Sequence, residues 1–435
     1  MYDLTVIGAG WAGFNAALRA RELGAKACLI ERSHVGGTCL NSGCIPTKAL
    51  IQSAKIYSLT KKASSFGIEI SGLPLANFAK IQERKEKIIA QLRLGMQGML
   101  KGIDFVNGDA QFISPTEIKI GQEVIKSKQA IIASGSRPAG LGSLKFDGKK
   151  IISSDDILNL KEIPESLLII GGGVIGCEFA SLFAALGTQV TIAEKLPQIL
   201  PGMDPEVSRR ITAIFKKKGI KVNTAVDAAS FDLNSFDLVL VCVGRASCTE
   251  GLGLENIGIG LERGRVIVDE YLKTSVDNIY AAGDCTGKVM LAHYAAYQGC
   301  IAAENIIHPD NRKIAAARAV PNCIFTDPEI ASVGISEDEA KTSGRDVIIS
   351  KFDFLASGMA RILDEAEGFI KIISDKSIKT VLGASIIGPR ATELIGILGL
   401  AVNNNLTITQ IQDTIFAHPT LSESIHEAVN SSHAI

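Results

Sequence analysis

Two cysteines five residues apart, Cys39 and Cys44, have the types and spacing best suited to redox chemistry in this sequence. Pro46, two residues after Cys44, marks a helix start, because proline is tolerated in the first helical turn. A helix N-terminus stabilises a thiolate, so the pKa of Cys44 is expected to be low. Lys48 would share a helix face with Cys44 and add positive charge. A thiol of low pKa beside a second thiol is what disulfide exchange requires, which predicts a redox-active pair.

Two other interpretations of these cysteines remain open on the residues alone. Buried cysteines are often inert, and a zinc site could use the nearby His34. The two cysteines are separated by four residues, however, and no second cysteine pair with zinc-ligand spacing occurs in the sequence. We therefore expect no metal. The total of nine cysteines is odd, which also argues against a secreted disulfide scaffold.

Two segments of the chain match each other when one is shifted onto the other. Three glycines and a glutamate recur with the same spacing: Gly8, Gly10, Gly13 and Glu31 in the first segment, and Gly171, Gly173, Gly176 and Glu194 in the second. Each set spans a strand, a Gly-x-Gly-x-x-Gly turn, an alanine-rich helix and a strand that ends in the glutamate. In such a βαβ unit the pyrophosphate of a dinucleotide faces the helix N-terminus, and the carboxylate accepts hydrogen bonds from a ribose. One such turn is weak evidence, but two copies predict two bound dinucleotides.

The chemistry explains why two different nucleotides are needed. A nicotinamide transfers hydride, a dithiol gives up electrons through sulfur, and a flavin accepts from either. The first unit adjoins the cysteine pair and is therefore predicted to hold FAD. Glu194 repels a 2′-phosphate, so the second unit is predicted to hold NAD rather than NADP.

Composition limits the class of protein and its partners. The chain has 435 residues, of which 46% are hydrophobic and 21% charged, which is typical of a globular protein of two to four domains. The net charge of -1 offers no field that would hold nucleic acid or an anionic membrane. Neither a signal peptide nor a transmembrane run is found, so we expect a cytoplasmic location.

Several motifs together resemble the pyridine nucleotide–disulfide oxidoreductase family over nearly the whole chain. Gly36–Lys48 resembles the redox-disulfide motif of that family almost residue for residue. Ile279–Asp284 resembles its second FAD motif, and Met290–His293 the flavin-contacting segment of its lipoamide-oxidising members. Phe325–Gly334 and His418–Glu423 resemble its dimerisation-domain signatures.

The resemblance implies an α/β fold with two Rossmann-like dinucleotide-binding domains, for FAD and NAD, and a C-terminal α+β dimerisation domain. The expected boundaries are 1–138 for the FAD-binding domain with the redox disulfide, 139–265 for the NAD-binding domain, 266–318 for a central segment that returns to the FAD domain, and 319–435 for the dimerisation domain. The implied partners are a second copy of the chain and the dihydrolipoyl domain of a 2-oxo-acid dehydrogenase or related complex.

The resemblance also implies a role for each catalytic residue. Cys44 is the thiol nearest the flavin, and Cys39 exchanges with the substrate. Lys48 approaches the flavin N5 and pairs with Glu178. The expected cofactor-binding residues are Gly8, Gly10, Gly13, Glu31, Thr38, Lys48, Ala110, Asp284 and Ala292 for FAD, and Gly171, Gly173, Gly176, Glu194 and Gly244 for NAD.

The acid/base pair implied by the resemblance is His418, oriented by Glu423 and contributed by the partner subunit. The residues alone leave another role open, because Thr420 and Glu423 also fit a capping box in which Glu423 binds the Thr420 amide. A rival function is the reduction of another small disulfide such as glutathione disulfide, and a non-catalytic place in a larger complex is a third. One departure from the family pattern, Ala246–Cys248, puts detail of the NAD site in doubt.

Overall fold

The computed structural model describes residues 1–142 and 144–431. Its strands in chain order are β1 (Tyr2–Ile7), β2 (Ala27–Glu31), β3 (Asp104–Asn107), β4 (Ala110–Ser114), β5 (Glu117–Ile120), β6 (Glu123–Ile132), β7 (Ser136–Pro138), β8 (Ile151–Ile152), β9 (Ser166–Ile170), β10 (Gln189–Ala193), β11 (Lys221–Asn223), β12 (Leu238–Val241), β13 (Arg245–Ser247), β14 (Leu261–Glu262), β15 (Arg265–Val266), β16 (Ile279–Ala281), β17 (Asn322–Ile324), β18 (Glu329–Gly334), β19 (Val347–Asp353), β20 (Phe369–Asp375) and β21 (Val381–Gly388).

The α-helices in the same residues lie between these strands or pack on their faces. They are α1 (Trp11–Glu22), α2 (Gly37–Ser42), α3 (Cys44–Lys61), α4 (Phe78–Met99), α5 (Val174–Leu186), α6 (Pro205–Lys217), α7 (Ala292–Ile307), α8 (Glu337–Thr342), α9 (Gly358–Ile362), α10 (Ala391–Asn403), α11 (Ile408–Gln412) and α12 (Glu423–Asn430). None of them is both long enough and apolar enough to cross a membrane.

The first sheet has the strand order β3-β2-β1-β6-β5-β4, and β16 pairs with β6 on a separate branch. Strands β1, β2, β3, β6 and β16 run parallel, whereas β4 and β5 form an antiparallel hairpin extension of β6. Parallel strands are covered by helices on both faces, and accordingly every residue of β2 is buried. Because β16 comes late in the chain, the chain returns to this sheet after building the second one.

The second sheet is fully parallel and repeats the βαβ arrangement of the first. Its order is β11-β10-β9-β12-β8, with α5 connecting β9 to β10. Helix α5 is apolar over most of its length, and nine of its residues are buried. Both sheets therefore place a glycine turn at the carboxyl end of the first strand of a βαβ unit, which is where nucleotides bind in such folds.

The third sheet is antiparallel, with the order β17-β18-β21-β20-β19. Strand β21 is buried along its whole length. Helices α10 and α12 contribute apolar side chains to the same core as this sheet. This is the α+β region expected after the two nucleotide units, although residues 432–435 of the expected 319–435 range lie outside the described residues.

One helix boundary differs from the sequence prediction. Helix α3 begins at Cys44 itself, with Gly43 before it, and Pro46 is its third residue. The first helical hydrogen bond runs from the Thr47 amide to the Gly43 carbonyl, at 3.1 Å. Amide groups in the first turn of a helix have no partner within the helix, so proline is tolerated anywhere in that turn and does not fix its first residue.

Candidate active site

The first glycine turn is held in a conformation that only glycine accommodates. Gly8 has φ +100°, and a Cβ there would lie 2.3 Å from the Ala133 carbonyl oxygen. A Cβ on Gly13 would lie 1.8 Å from the Gly8 carbonyl oxygen, so α1 packs directly on the turn. Gly10 precedes α1 and offers no side-chain cap, which leaves the first amides of the helix free for an anion.

The second turn has the same geometry at the matching glycines. Gly171 has φ +109°, and its Cβ would lie 2.6 Å from the Cys242 carbonyl oxygen. The Cβ of a residue at position 176 would lie 2.0 Å from the Gly171 carbonyl oxygen. Gly173 precedes α5 with backbone angles close to those of Gly10, again without a side-chain cap. The sequence repeat is therefore also a repeat of backbone conformation.

The two glutamates at the ends of β2 and β10 bind their own loops. Glu31 accepts hydrogen bonds from the Ala9 amide at 2.7 Å and the Ser33 amide at 2.9 Å. Glu194 does the same with Gly172 and Leu196, each at 2.7 Å. A carboxylate has about four acceptor positions, so each can still accept from a ribose diol. The sequence pattern gave no sign of this bracing role, and ribose recognition stays a prediction.

Two adjoining cavities extend from Glu31 to the cysteine pair. One, of about 570 Å³, contains the first glycine turn and Glu31, and the other, of about 450 Å³, contains both cysteines. Gly10, Thr38 and Ser136 line both. Together the two cavities form an elongated space with room for a dinucleotide such as FAD. Of the other residues predicted to bind FAD, Ala110 lines the first cavity, and Asp284 and Ala292 line the second.

The two cysteines face each other as free thiols. Cys39 lies in α2, and Cys44 is the first residue of α3. A hydrogen bond from Cys39, together with the charge of Lys48, lowers the pKa of Cys44 to about 7. The same hydrogen bond and burial raise the pKa of Cys39. One thiol is thus poised to ionise near neutral pH while its neighbour stays protonated, as exchange chemistry requires.

Lys48 and Glu178 connect the cysteine helix to the second nucleotide unit. The Lys48 Nζ donates to both carboxylate oxygens of Glu178, at 2.8 and 2.7 Å. Glu178 lies in α5 and is 3% exposed. It also accepts from the Phe325 amide at 2.9 Å, and the Lys48 ammonium lies 4.7 Å from the centre of the Phe325 ring. The Lys48–Glu178 pair predicted from sequence is present, and the contact of this pair with Phe325 was not predicted.

Asp284 is held by residues that the sequence did not identify as functional. Ser136 Oγ donates to the Asp284 carboxylate, and Arg245 Nε donates to Ser136 Oγ at 2.7 Å. Ser247 Oγ donates to the Asp284 carbonyl at 2.8 Å. The divergent segment Ala246–Cys248 therefore contacts Asp284 at the thiol cavity, because β13 pairs with β7. Neighbouring Gly244, with φ +130°, accepts from the Ala139 amide where the chain passes between the two nucleotide units.

His418 and Glu423 form a hydrogen-bonded pair on the surface of the third region. The His418 Nδ1 lies 2.7 Å from Glu423 Oε1, and the imidazole side chain is 81% exposed. Glu423 Oε2 accepts from the Thr420 amide at 2.8 Å, so one carboxylate makes both contacts considered from sequence. These contacts lower the pKa of Glu423, the Thr420 amide most strongly. Helix α12 begins at Glu423 after Ser422, so the contact of Glu423 with the Thr420 amide is present but does not form a helix capping box.

The single chain does not bring this pair to the thiols. Among the described residues that line the thiol cavity, neither His418 nor Glu423 occurs. The imidazole is instead exposed on the surface of the third region.

Comparison with known proteins agrees with this geometry. The model of the pyridine nucleotide-disulphide oxidoreductase family matches residues 2–299, and that of the family's dimerisation domain matches residues 320–429. The chain therefore belongs to the pyridine nucleotide-disulphide oxidoreductase family. The fold class and the family resemblance predicted from sequence are confirmed.

Two relatives of known name are similar along almost their whole length. A dihydrolipoyl dehydrogenase of Bacillus subtilis (strain 168) is 39% identical, covering 98% of this chain and 97% of the relative. The dihydrolipoyl dehydrogenase of Chlamydia pneumoniae is 42% identical, covering 97% of this chain and 95% of the relative.

Two solved structures share the fold. The HOCl-induced flavoprotein disulfide reductase RclA from Escherichia coli is 29% identical, with a TM-score of 0.88 over 99% of both chains. LpdA from Mycobacterium tuberculosis is 27% identical, with a TM-score of 0.91 over 98% of this chain and 99% of that one. The protein is a flavin-dependent disulfide oxidoreductase with FAD and NAD as its cofactors, and the dimerisation domain supports a homodimer.

Proposed function

We propose that the protein is a dihydrolipoyl dehydrogenase, which oxidises a dihydrolipoyl group to lipoyl and reduces NAD to NADH. The observation that carries the proposal is the thiol pair. Cys44 has a pKa of about 7 and opens onto the cavity beside the first glycine turn, and Lys48 ties its helix to the second nucleotide unit through Glu178. Relatives about 40% identical over nearly full length bear this name.

The thiols account for the substrate half of the reaction. A substrate thiolate attacks the Cys39 sulfur of the disulfide, the bond between the two cysteines breaks, and Cys44 leaves as a thiolate. The second substrate thiolate then attacks the substrate sulfur bonded to Cys39, which closes the lipoyl disulfide and releases Cys39. Bound FAD would carry the two electrons from the dithiol to NAD.

The residues that would hold the two cofactors follow from the two turns. In this proposal the first turn, Thr38 and Asp284 hold FAD, and Glu31 binds its adenosine ribose. The second turn holds NAD, with Glu194 at the ribose. Support comes from the matching backbone of the two turns and from the fit of the elongated cavities to a dinucleotide.

The acid/base group in this proposal is His418 of the partner subunit, with Glu423 as its positioning residue. Removal of protons from a dithiol near neutral pH suits histidine. The outward presentation of the imidazole and its 2.7 Å contact with Glu423 support this arrangement. We further propose that the dithiol substrate is carried by a lipoyl domain of another protein, and that the enzyme acts in the cytoplasm.

A substrate panel tests the proposal directly. Purified flavoprotein would be assayed with dihydrolipoamide and NAD or NADP, and with glutathione disulfide and NADH or NADPH. We expect the highest kcat/KM for dihydrolipoamide with NAD, and no dihydrolipoamide oxidation in a Cys39→Ser variant. A protein that turns over none of these pairs, or that oxidises dihydrolipoamide equally well without Cys39, is not a dihydrolipoyl dehydrogenase.

One observation favours a second candidate, the NADH-dependent reduction of another small disulfide. RclA, whose structure is similar over 99% of both chains, is described as a disulfide reductase. The same thiol pair can pass electrons in either direction. A faster rate with a non-lipoyl disulfide than with dihydrolipoamide in the same panel would favour this candidate.

A further inference from the structure

The only tryptophan of the chain, Trp11, lies beside the thiol pair. It is the first residue of α1 and lines the cavity that contains both sulfurs. Its indole Nε1 is buried, and no residue of the described chain accepts a hydrogen bond from it. A buried donor without an acceptor is energetically unfavourable. An acceptor that forms during the reaction would pair with it.

The Cys39 sulfur is the acceptor that the site offers. The indole N–H acts in the direction that lowers the pKa of Cys39, and no formed hydrogen bond joins it to the protonated thiol. A thiol is a weak acceptor, whereas a thiolate accepts a short, charge-assisted hydrogen bond. The indole N–H is therefore matched to an ionised Cys39 better than to the protonated one.

Cys39 needs such help more than Cys44 does. Cys44 has the hydrogen bond from Cys39, the charge of Lys48 and the start of α3 to stabilise its thiolate. For Cys39, burial and the hydrogen bond to Cys44 both oppose ionisation. The influences that favour a Cys39 thiolate are Trp11 and, more weakly, Lys48.

The backbone holds the indole in place. Helix α1 packs so closely on α7 that a Cβ on Gly299 would lie 2.0 Å from the Ala12 carbonyl oxygen. The Trp11 carbonyl also accepts a hydrogen bond from Asn15 Nδ2 at 2.8 Å. Because this part of the helix is fixed, the backbone of Trp11 loses little freedom when the thiolate forms.

We propose that the indole N–H of Trp11 stabilises Cys39 as the leaving thiolate in the second sulfur exchange. In that step the bond between Cys39 and the substrate sulfur breaks, the substrate disulfide forms, and the electron pair of the broken bond stays on Cys39. The inference deepens the proposed function and rests on it for the identity of the substrate, but the ionisation of Cys39 in the reduced pair can be followed without that substrate.

The test is the pH dependence of Cys39 alkylation in the NADH-reduced holoenzyme. Iodoacetamide would be added over a range of pH, and the modified cysteine identified by mass spectrometry. In Trp11→Phe, which keeps an aromatic ring but lacks the N–H, the alkylation midpoint should move to higher pH. The rate at a fixed pH below the midpoint should fall about tenfold, as expected for losing one charge-assisted hydrogen bond. An unchanged midpoint would overturn the inference.

A second measurement avoids any doubt about folding of the variant. Because Trp11 is the sole tryptophan, growth on a fluorinated tryptophan replaces this one residue with an analogue of more acidic N–H. The midpoint should then move to lower pH, opposite to Trp11→Phe. A shift in the same direction in both proteins would contradict the inference.

The control variant is Phe14→Leu, which disturbs the same helix in the apolar core and should leave the midpoint unchanged. The outcomes separate this inference from the proposed function. If reduction by NADH exposes no alkylatable thiols, both are wrong. If thiols appear but the panel shows no dihydrolipoamide oxidation, only the proposed function is wrong, and the shift in Trp11→Phe still decides the role of the indole.

Discussion

The two nucleotide units share their turns but differ in the chain that follows their second strand. In the first unit the Gly36 amide donates to the Ala9 carbonyl at 2.8 Å. A Cβ on Gly37 would lie 2.6 Å from the Gly10 Cα, so backbone rests directly on backbone there. This close approach lets the short helix α2 carry Cys39 over the end of α1.

In the second unit the same contact is made by apolar residues. The Leu200 amide donates to the Gly172 carbonyl at 2.7 Å, and Ile199 covers Gly172. Both Ile199 and Leu200 are almost fully buried. The two units thus pack a different segment on the same turn. In the first unit the segment contains glycines and leads into the helix that carries Cys39, and in the second it contains buried apolar side chains. The chemistry belongs to the connection and not to the fold, as is general for nucleotide-binding folds.

The largest effect is expected when the first unit loses its thiol and the second is left intact. Cys44→Ser should lower dithiol turnover by more than about 10³-fold, because loss of a reacting nucleophile removes the covalent pathway. Binding of NADH to the second unit should persist, measured by calorimetry on the same preparation. Cys300→Ser, which alters a thiol in α7, is the control and should keep full activity. Turnover by Cys44→Ser near the control rate would disprove the thiol assignment.

A smaller loss is expected when the base outside both units is removed. His418→Gln should keep FAD and lower dithiol oxidation by roughly 10²–10⁴-fold, the usual contribution of a positioned base. His426→Gln, in α12 close by, is the matched control and should stay active. If His418→Gln, like His426→Gln, keeps near-normal turnover and shows only a lower Tm, the role of His418 is structural.

Mixed dimers test where the base acts. Neither Cys44→Ser nor His418→Gln should be active alone, but a dimer with one chain of each should regain one working site of two. A mixed dimer as inactive as its parents would place the histidine in its own subunit's site.

The sequence predicted the parts of this comparison that depend on local backbone. Gly8 and Gly171 were predictable because their φ values of +100° and +109° demand glycine, so the Gly-x-Gly-x-x-Gly spacing is visible in the sequence. Cys44 and Lys48 were predictable because helix periodicity relates them, and Cys39 was predictable from its short separation from Cys44 in the sequence. These features need no knowledge of what lies across the sheet.

Contacts between distant segments could not be predicted in the same way. Ser136 and Ser247 reach Asp284 from two other parts of the chain. Their pairing depends on β7 and β13 lying side by side, which single-residue patterns do not encode. The Phe325 amide at Glu178 is a further example, since its motif was recognised but a backbone donor carries no sequence signal.

The twin glutamates provide a more sensitive comparison of the units. Glu194→Arg should shift the preference from NAD toward NADP by at least about tenfold, because a like-charge clash becomes an attraction. Glu31→Arg should leave that preference unchanged and weaken FAD retention instead. The ratio of kcat/KM for the two nicotinamide cofactors and the flavin content of each variant are the measurements. Equal preference for NAD and NADP in the unmodified protein would contradict the assignment of Glu194.

The smallest expected effect is a shift in the ionisation of Cys44 when its link to the second unit is cut. In Lys48→Met the positive charge that favours the Cys44 thiolate is lost, while the negative charge of Glu178, which disfavours it, remains. The pKa of Cys44 should therefore rise above about 7. The hydrogen bond from Cys39 is the larger influence on the pKa of Cys44 and stays, which keeps the shift modest.

The lowered pKa of Cys44 also affects the stability of the fold. Because this pKa is lower in the folded chain than in the unfolded chain, the thiolate stabilises the fold above the unfolded pKa. That stabilisation is lost as pH falls through about 7.

Ultraviolet thiolate absorbance of the reduced protein, with Cys44→Ser as the blank, measures the midpoint of Cys44 ionisation in Lys48→Met. Lys55→Met, further along α3 and paired with Glu365, is the matched control and should not move it. A midpoint in Lys48→Met at or below that of the control would show that Lys48 does not set the reactivity of Cys44.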